Sequence, residues 1–233
     1  MNAVTPPPSI DPITFTVIWN SIVSIAEELG TTMRHTAFSE AVREGDDFST
    51  AVFDAQGRMI SQGNFSPGHL GSMPFVIRHV EKAFPPETLK PGDAIMLNDS
   101  WMGSGHFPDV FQIMPVFNDE ASLIGYVGAS AHQMDMGGAA PGSQKVHGVT
   151  ESFQEGIRIL PVRFCREGVV DQDILRLILG NVRVPDKVRG DMMAQHTANL
   201  TAAERFRALF RDQGRERVEA VFDQILDRSE ERM

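Results

Sequence analysis

The chain has 233 residues, 42% of them hydrophobic and 22% charged, enough to bury a sizeable core as one large domain or two small ones. Lys and Arg number 21 against 31 Asp and Glu, a formal net charge of −10, which repels phosphate backbones and argues against a basic nucleic-acid face. One cysteine, Cys165, excludes an internal disulfide and any multi-cysteine zinc knuckle, and fits a reducing compartment, by default the cytoplasm.

Residues 1–10 carry Pro6-Pro7-Pro8 and read as an extended leader with little to pack. They lack a basic then apolar signal pattern, and no later window holds about 18 uninterrupted apolar residues, so neither secretion nor membrane spanning is indicated. Asp11-Pro12 opens a helix, because Asp caps free amides and Pro suits the first turn. Ile13, Val17, Ile18, Ile22, Ile25 and Ala26 follow at helical spacing, with Gly30 as the expected stop.

A polar turn at Glu44-Gly45-Asp46-Asp47 leads into an alternating stretch over 48–60, read as a hairpin turning at Ala55-Gln56-Gly57. Met73, Val76, Ile77, Val80 and Phe84 predict a short amphipathic helix over 72–84, ended by Pro85-Pro86. From Gly92 the pattern turns β-like, with apolar runs over 94–97, 110–117, 123–131 and 157–164 bounded by Gly, Pro, Asn and Asp. From Asp171 to the end apolar residues recur at helical spacing among Arg and Glu. The fold class is therefore α+β: a mixed, sheet-rich centre with long Gly-rich loops, an amino-terminal helix and a helical carboxy-terminal tail. Its regions are a leader over 1–10, a mixed α/β region over 11–170 that holds any metal site, and a helical region over 171–233 belonging to the same or a larger domain.

Two loops could carry chemistry, NDSWMGSGHFPDV at 98–110 and SAHQMDMGGAAPGS at 130–143. Each has a His followed three residues later by an Asp, His106 with Asp109 and His132 with Asp135. Imidazole and carboxylate form the ligand set that suits zinc, manganese or ferrous iron, and a loop beside a strand can hold them with a coordination position open. Gly103, Gly105, Gly137 and Gly138 let the backbone approach a ligand closely. A single His-x-x-Asp is better explained by a capped turn beside a solvated His than by metal ligation; the repetition in two Gly-rich loops is the signal.

Other candidates are weaker. Asp46 and Asp47 stand where turn-forming acids are common, and His69 in SPGHLGSM faces either a cleft or a loop interior. His35, His79 and His196 read as surface or satisfied histidines, and Cys165 as a buried inert thiol. With no phosphate-binding P-loop, strand-linked G-x-G-x-x-G or G-x-S-x-G elbow, any ATP is expected on another subunit.

The ordered strings DPITFTVIWNSIVSIAEELGTTMRHTAFS, DDFSTAVFDAQGRMISQ, HLGSMP, PGDAIMLNDSWMGSGHFPDV, AHQMDMGG, EGIRILPV and NVRVPDKVRGDMMAQ resemble the amino-terminal part of the hydantoinase B/oxoprolinase family. That family includes subunits or domains of N-methylhydantoinase and 5-oxoprolinase, and the large subunits of acetone and acetophenone carboxylases. The resemblance implies a hydantoinase A-type partner that uses ATP to phosphorylate the substrate's amide or enol oxygen. It implies metal ligation by Asp47, His106, Asp109 and His132, and makes Asp135 an outer support or additional ligand. His132 and Asp135 are then the catalytic candidates.

The reading this favours is a metal-dependent subunit of an ATP-dependent cyclic-amide hydrolase opening a hydantoin, 5-oxoproline or lactam ring. Two rivals stand beside it. Trp101 and the Gly-x-Gly before His106 lean towards a ketone carboxylase, while the apolar positions between charges over 205–232 suit a non-catalytic scaffold docking a partner. The resemblance also sets an expectation about length: 233 residues is short for the family, so activity is expected to need the partner or further carboxy-terminal sequence.

Overall fold

The computed structural model describes residues 10–103, 105–145 and 147–233. The expected leader, with Pro6-Pro7-Pro8, lies outside the described residues except for Ile10. Within them the architecture is α+β. Seven strands, β1 (Phe48–Asp54), β2 (Met59–Gln62), β3 (Ala94–Leu97), β4 (Asp109–Phe117), β5 (Leu123–His132), β6 (Val162–Arg166) and β7 (Val169–Val170), form one sheet in the order β2-β1-β5-β4-β3-β6-β7. Every pairing is antiparallel. The helices are α1 (Pro12–Thr36), α2 (Glu40–Arg43), α3 (Met73–Ala83), α4 (Gln172–Leu179), α5 (Pro185–Gln213) and α6 (Arg215–Glu230).

Helix α1 starts as its sequence dictates. The Asp11 carboxylate accepts from the Ile13 and Thr14 amides, both at 3.0 Å, a cap worth about 1 kcal/mol. Its buried stripe of Ile18, Ile22, Ile25, Ala26, Leu29 and Met33 faces the sheet. The helix does not stop at Gly30 but continues to Thr36. Gly30 is buried against the Phe65 ring, where a Cβ would stand 2.0 Å from the nearest ring carbon, so this glycine makes room for a neighbour instead of ending the turn.

Both faces of the sheet are covered, and the alternation along the strands assigns the faces. On β1, Phe48 and Val52 meet α1 and α5, while Ala51 and Phe53 meet α3. On β4, Phe111 and Ile113 join Met73, Val76, Ile77 and Val80 of α3, while Met114 and Val116 face the long helices. This double cover explains why β1, β3 and β4 are buried at every residue.

Helix α5 crosses the sheet through small residues, Ala194, Ala198, Ala202 and Ala203, and through amides. The Gln195 amide donates to the Val110 and Ala129 carbonyls at 2.9 and 2.7 Å, and the Gln112 amide donates to the Met192 carbonyl at 2.9 Å. Such buried bonds fix the helix register against β4 and β5, because an unmatched amide there would cost more than the bond returns. Helix α6 turns Val218, Val221, Phe222 and Ile225 onto the same core, so these apolar positions of the tail pack internally.

The strand expected over 157–164 begins only at Val162. Residues 157–159 are instead held by Asn98, whose side chain donates to the Ile157 carbonyl and accepts from the Ile159 amide, while its own amide donates to the Ile159 carbonyl. Asn98 thus takes the place of a neighbouring strand. Among the described residues no helix is long and apolar enough to cross a membrane.

Candidate metal centre

The site lies at one end of β1, β4 and β5. Asp109, the first residue of β4, is the cross-strand partner of His132, the last residue of β5. The adjacent strand β1 begins one residue after Asp47, whose carbonyl accepts from the His132 amide at 3.0 Å. Three strand ends, distant in sequence, thereby deliver an acid, an acid and a histidine to one place.

The turn before β1 aims Asp47. Asp46 holds φ 49°, a left-handed conformation that Asp tolerates better than most side chains, and Arg34 clamps its carboxylate in a two-pronged pair at 2.7 and 2.6 Å. Asp46 is thus tied to the turn, while Asp47 places Oδ2 3.9 Å from His132 Nδ1.

Asp109 is the focus. Its Oδ1 accepts from His106 Nε2 at 2.8 Å and lies 3.0 Å from His132 Nδ1. Its Oδ2 is 3.0 Å from His69 Nε2. Burial, the largest single influence, pushes the Asp109 carboxyl up, but hydrogen bonds from His106, His132 and His69 outweigh it and hold the group well below the usual carboxylate range. The bond to Asp109 raises His106, partly opposed by burial and helped by the charges of Asp109, Glu155 and Asp47.

His106, Asp109 and His132 each present a donor atom within 4.8 Å of the others. Two imidazoles and a carboxylate converging in a mostly buried pocket, with Asp47 alongside, fit a divalent metal: the donor set is the nitrogen and oxygen set of zinc, manganese or ferrous iron. Gly142 passes close by, and a Cβ there would stand 3.3 Å from His132 Nε2 at a φ of +55°.

Asp135 has another position. Its carboxylate is wholly buried, accepting from the Gly137 amide at 2.9 Å and from both the backbone and the guanidinium of Arg183. It ties the loop after β5 to the segment before α5 and is not among the donors within 4.8 Å of one another. His69, weak in sequence, is drawn into the centre; a His four residues before the first residue of α3 has no spacing relation to an Asp 40 positions on, and its place between glycines leaves a cleft or a loop interior equally open. His196 is buried against Phe164, which lowers its basicity, and Cys165 is a buried free thiol.

Comparison with known proteins places these features in a wider set. The model of the hydantoinase B/oxoprolinase family matches residues 11–233. An uncharacterized protein of Methanocaldococcus jannaschii is 36% identical over 225 residues, covering 95% of this chain and 39% of that protein. The B component of a putative D-/L-hydantoinase of a Pseudomonas species is 30% identical over 227 residues, 96% of this chain and 38% of its own length. The crystal structure of the ATP-dependent caprolactamase from Pseudomonas jessenii superposes with a TM-score of 0.84 at 28% identity, over 93% of this chain and 37% of that one. The chain thus spans about two fifths of the length of the curated relatives it matches.

Proposed function

We propose, from the premise that this chain belongs to the hydantoinase B/oxoprolinase family, that it is the metal-holding part of an ATP-dependent cyclic-amide hydrolase acting on a hydantoin, 5-oxoproline or lactam. The observation that carries the reading is the convergence of His106, Asp109 and His132 on one point. Asp47, His106, Asp109 and His132 are the proposed ligands of a zinc, manganese or ferrous ion.

When bound, such an ion supplies a Lewis acid and lowers the pKa of a coordinated water. The chain's own part is positional. His106 and His132 point their ring nitrogens at the same carboxylate oxygen, and the Asp47 side chain, half-exposed, is the most accessible of the four. Asp135, locked to Arg183, holds the loop that follows His132.

In this reading a hydantoinase A-type partner uses ATP to phosphorylate the ring carbonyl oxygen. Water adds at that carbon, the ring C–N bond breaks with the nitrogen taking a proton to leave an acyl phosphate, and a second water hydrolyses this to the carboxylate and free phosphate. The similarity to proteins named hydantoinase and caprolactamase supports hydrolysis over the ketone carboxylase alternative.

Elemental analysis tests the site: His106→Ala is expected to abolish stoichiometric metal, and unchanged content overturns the ligand assignment. Reconstitution with an A-type partner tests the reaction. ATP-dependent ring opening supports the hydrolase, whereas fixation of labelled bicarbonate into a ketone replaces it with the carboxylase.

A further inference from the structure

We propose that His69 is a positioning residue for the metal centre: it holds one oxygen of Asp109 so that the other is left to His106 and His132. This rests on the metal reading above and adds a residue that reading does not use as a ligand. His69 is 5% exposed and is hydrogen bonded at both ring nitrogens, Nε2 to Asp109 Oδ2 at 3.0 Å and Nδ1 to Ser49 Oγ at 2.9 Å. Because a carboxylate only accepts, Nε2 carries the proton of the first bond.

The outer end of this chain is anchored as well. Ser49, the second residue of β1, donates to the Ser66 carbonyl at 2.5 Å. The backbone of His69 is pinned where α3 begins, its carbonyl accepting from the Ser72 and Met73 amides at 3.0 and 3.2 Å and from the Ser72 hydroxyl at 2.8 Å. The edge of its ring meets Phe111 of β4. The imidazole therefore has little freedom, and it transmits that rigidity to Asp109.

The two oxygens of Asp109 are divided by partner. Oδ2 faces His69, which comes from the segment leading into α3, and Oδ1 faces His106 and His132, from the β4 entry loop and the end of β5. An outer partner that fixes a ligating carboxylate typically governs metal affinity by 10–100-fold. Without His69 the Asp109 carboxylate loses the donor that fixes Oδ2, and the orientation of its plane is less well determined.

A titration of zinc against a chromogenic chelator, run on the 233-residue chain, tests this. His69→Phe keeps the ring volume and removes both ring nitrogens with their hydrogen bonds; zinc affinity is expected to fall by about 10–100-fold. His69→Gln returns an amide donor at the reach of Nε2 and should recover most of that loss, while Ser49→Ala, one bond further out, should show a smaller loss. Thermal melting of the zinc-free proteins reports the fold separately. A purely structural His69 shifts the melting temperature and leaves the affinity within about twofold of wild type, and that result overturns the proposal. If His69→Phe does not fold, His69→Gln and Ser49→Ala decide: unchanged affinity in Ser49→Ala overturns it, weakened affinity supports it. Absence of zinc binding in the wild-type chain overturns the metal reading itself.

Discussion

Asp109 and His132 are directly opposed across the β4–β5 ladder, and their side chains meet at 3.0 Å. Backbone pairing, not loop geometry, sets this contact, so the two groups stay together in the metal-free protein. Asp109→Asn tests what the charge contributes. The amide has nearly the same shape but neither the anionic oxygen nor the acceptor capacity that His106, His132 and His69 share. Metal affinity should fall about 100-fold or more, read by elemental analysis. The folded protein should also lose roughly 1–3 kcal/mol in denaturant unfolding, because buried imidazole donors lose their acceptor.

Asp135 separates loop support from chemistry. Its carboxylate is buried, and its partner Arg183 is half-exposed, so the pair is weaker than a fully buried one. Asp135→Asn should destabilise the fold by about 1–3 kcal/mol, chiefly through the lost acceptor for the Gly137 and Arg183 groups. Metal content, measured in parallel, should stay stoichiometric. A variant of undiminished stability that holds metal and has lost ring opening would instead give Asp135 a direct catalytic part.

How much is legible in the sequence follows from how local each signal is. The 48–60 hairpin, the 72–84 helix and the runs at 94–97, 110–117 and 123–131 depend on period and turn residues within a few positions, and the observed elements start and end within a few residues of those expectations. The 157–164 run departs from its pattern because Asn98, some 60 residues away, satisfies the backbone there. At the site, His106 and Asp109 are visible as a local pair. Asp47 reaches the centre only through the order of strands in the sheet, and only the family resemblance points to it; His69 arrives through the approach to α3, which neither spacing nor that resemblance indicates.

Gly30 departs from the expected helix stop for a related reason, and its substitution has a definite sign. Inside an exposed helix, Gly→Ala gains about 0.5–1 kcal/mol. Here the new methyl group would sit 2.0 Å from the Phe65 ring, which is itself wedged against Phe48 with ring centroids 4.6 Å apart and lies under Arg34. Overpacking of this kind costs about 1–3 kcal/mol, so the clash wins. Gly30→Ala should lower the unfolding free energy, and combining it with Phe65→Leu, which removes the obstructing ring edge, should lower it by less than the two separate losses added together.

Tyr126 is the only tyrosine in the chain, so absorbance at 295 nm reads one phenol. It is wholly buried in the α3-facing core, and its hydroxyl donates to Glu81 Oε1 at 2.9 Å. Burial first, then repulsion from the Glu81 charge and the bond to it, raise the phenol far above its ordinary value of 10.0. The sign for stability follows: the unfolded chain loses this proton near pH 10 and the folded chain does not, so unfolding releases a proton in alkali. The stabilisation is complete below pH 10 and declines as pH rises above it. In an alkaline titration the 295 nm signal should therefore stay flat past pH 10 and appear together with the loss of helical circular dichroism. Tyr126→Phe should retain the fold at neutral pH and unfold at a higher alkaline pH than the wild type, since the phenol that drives the transition is gone. A phenolate signal that rises smoothly around pH 10 while the helices persist would show that the hydroxyl is open to solvent and that the Glu81 contact does not form.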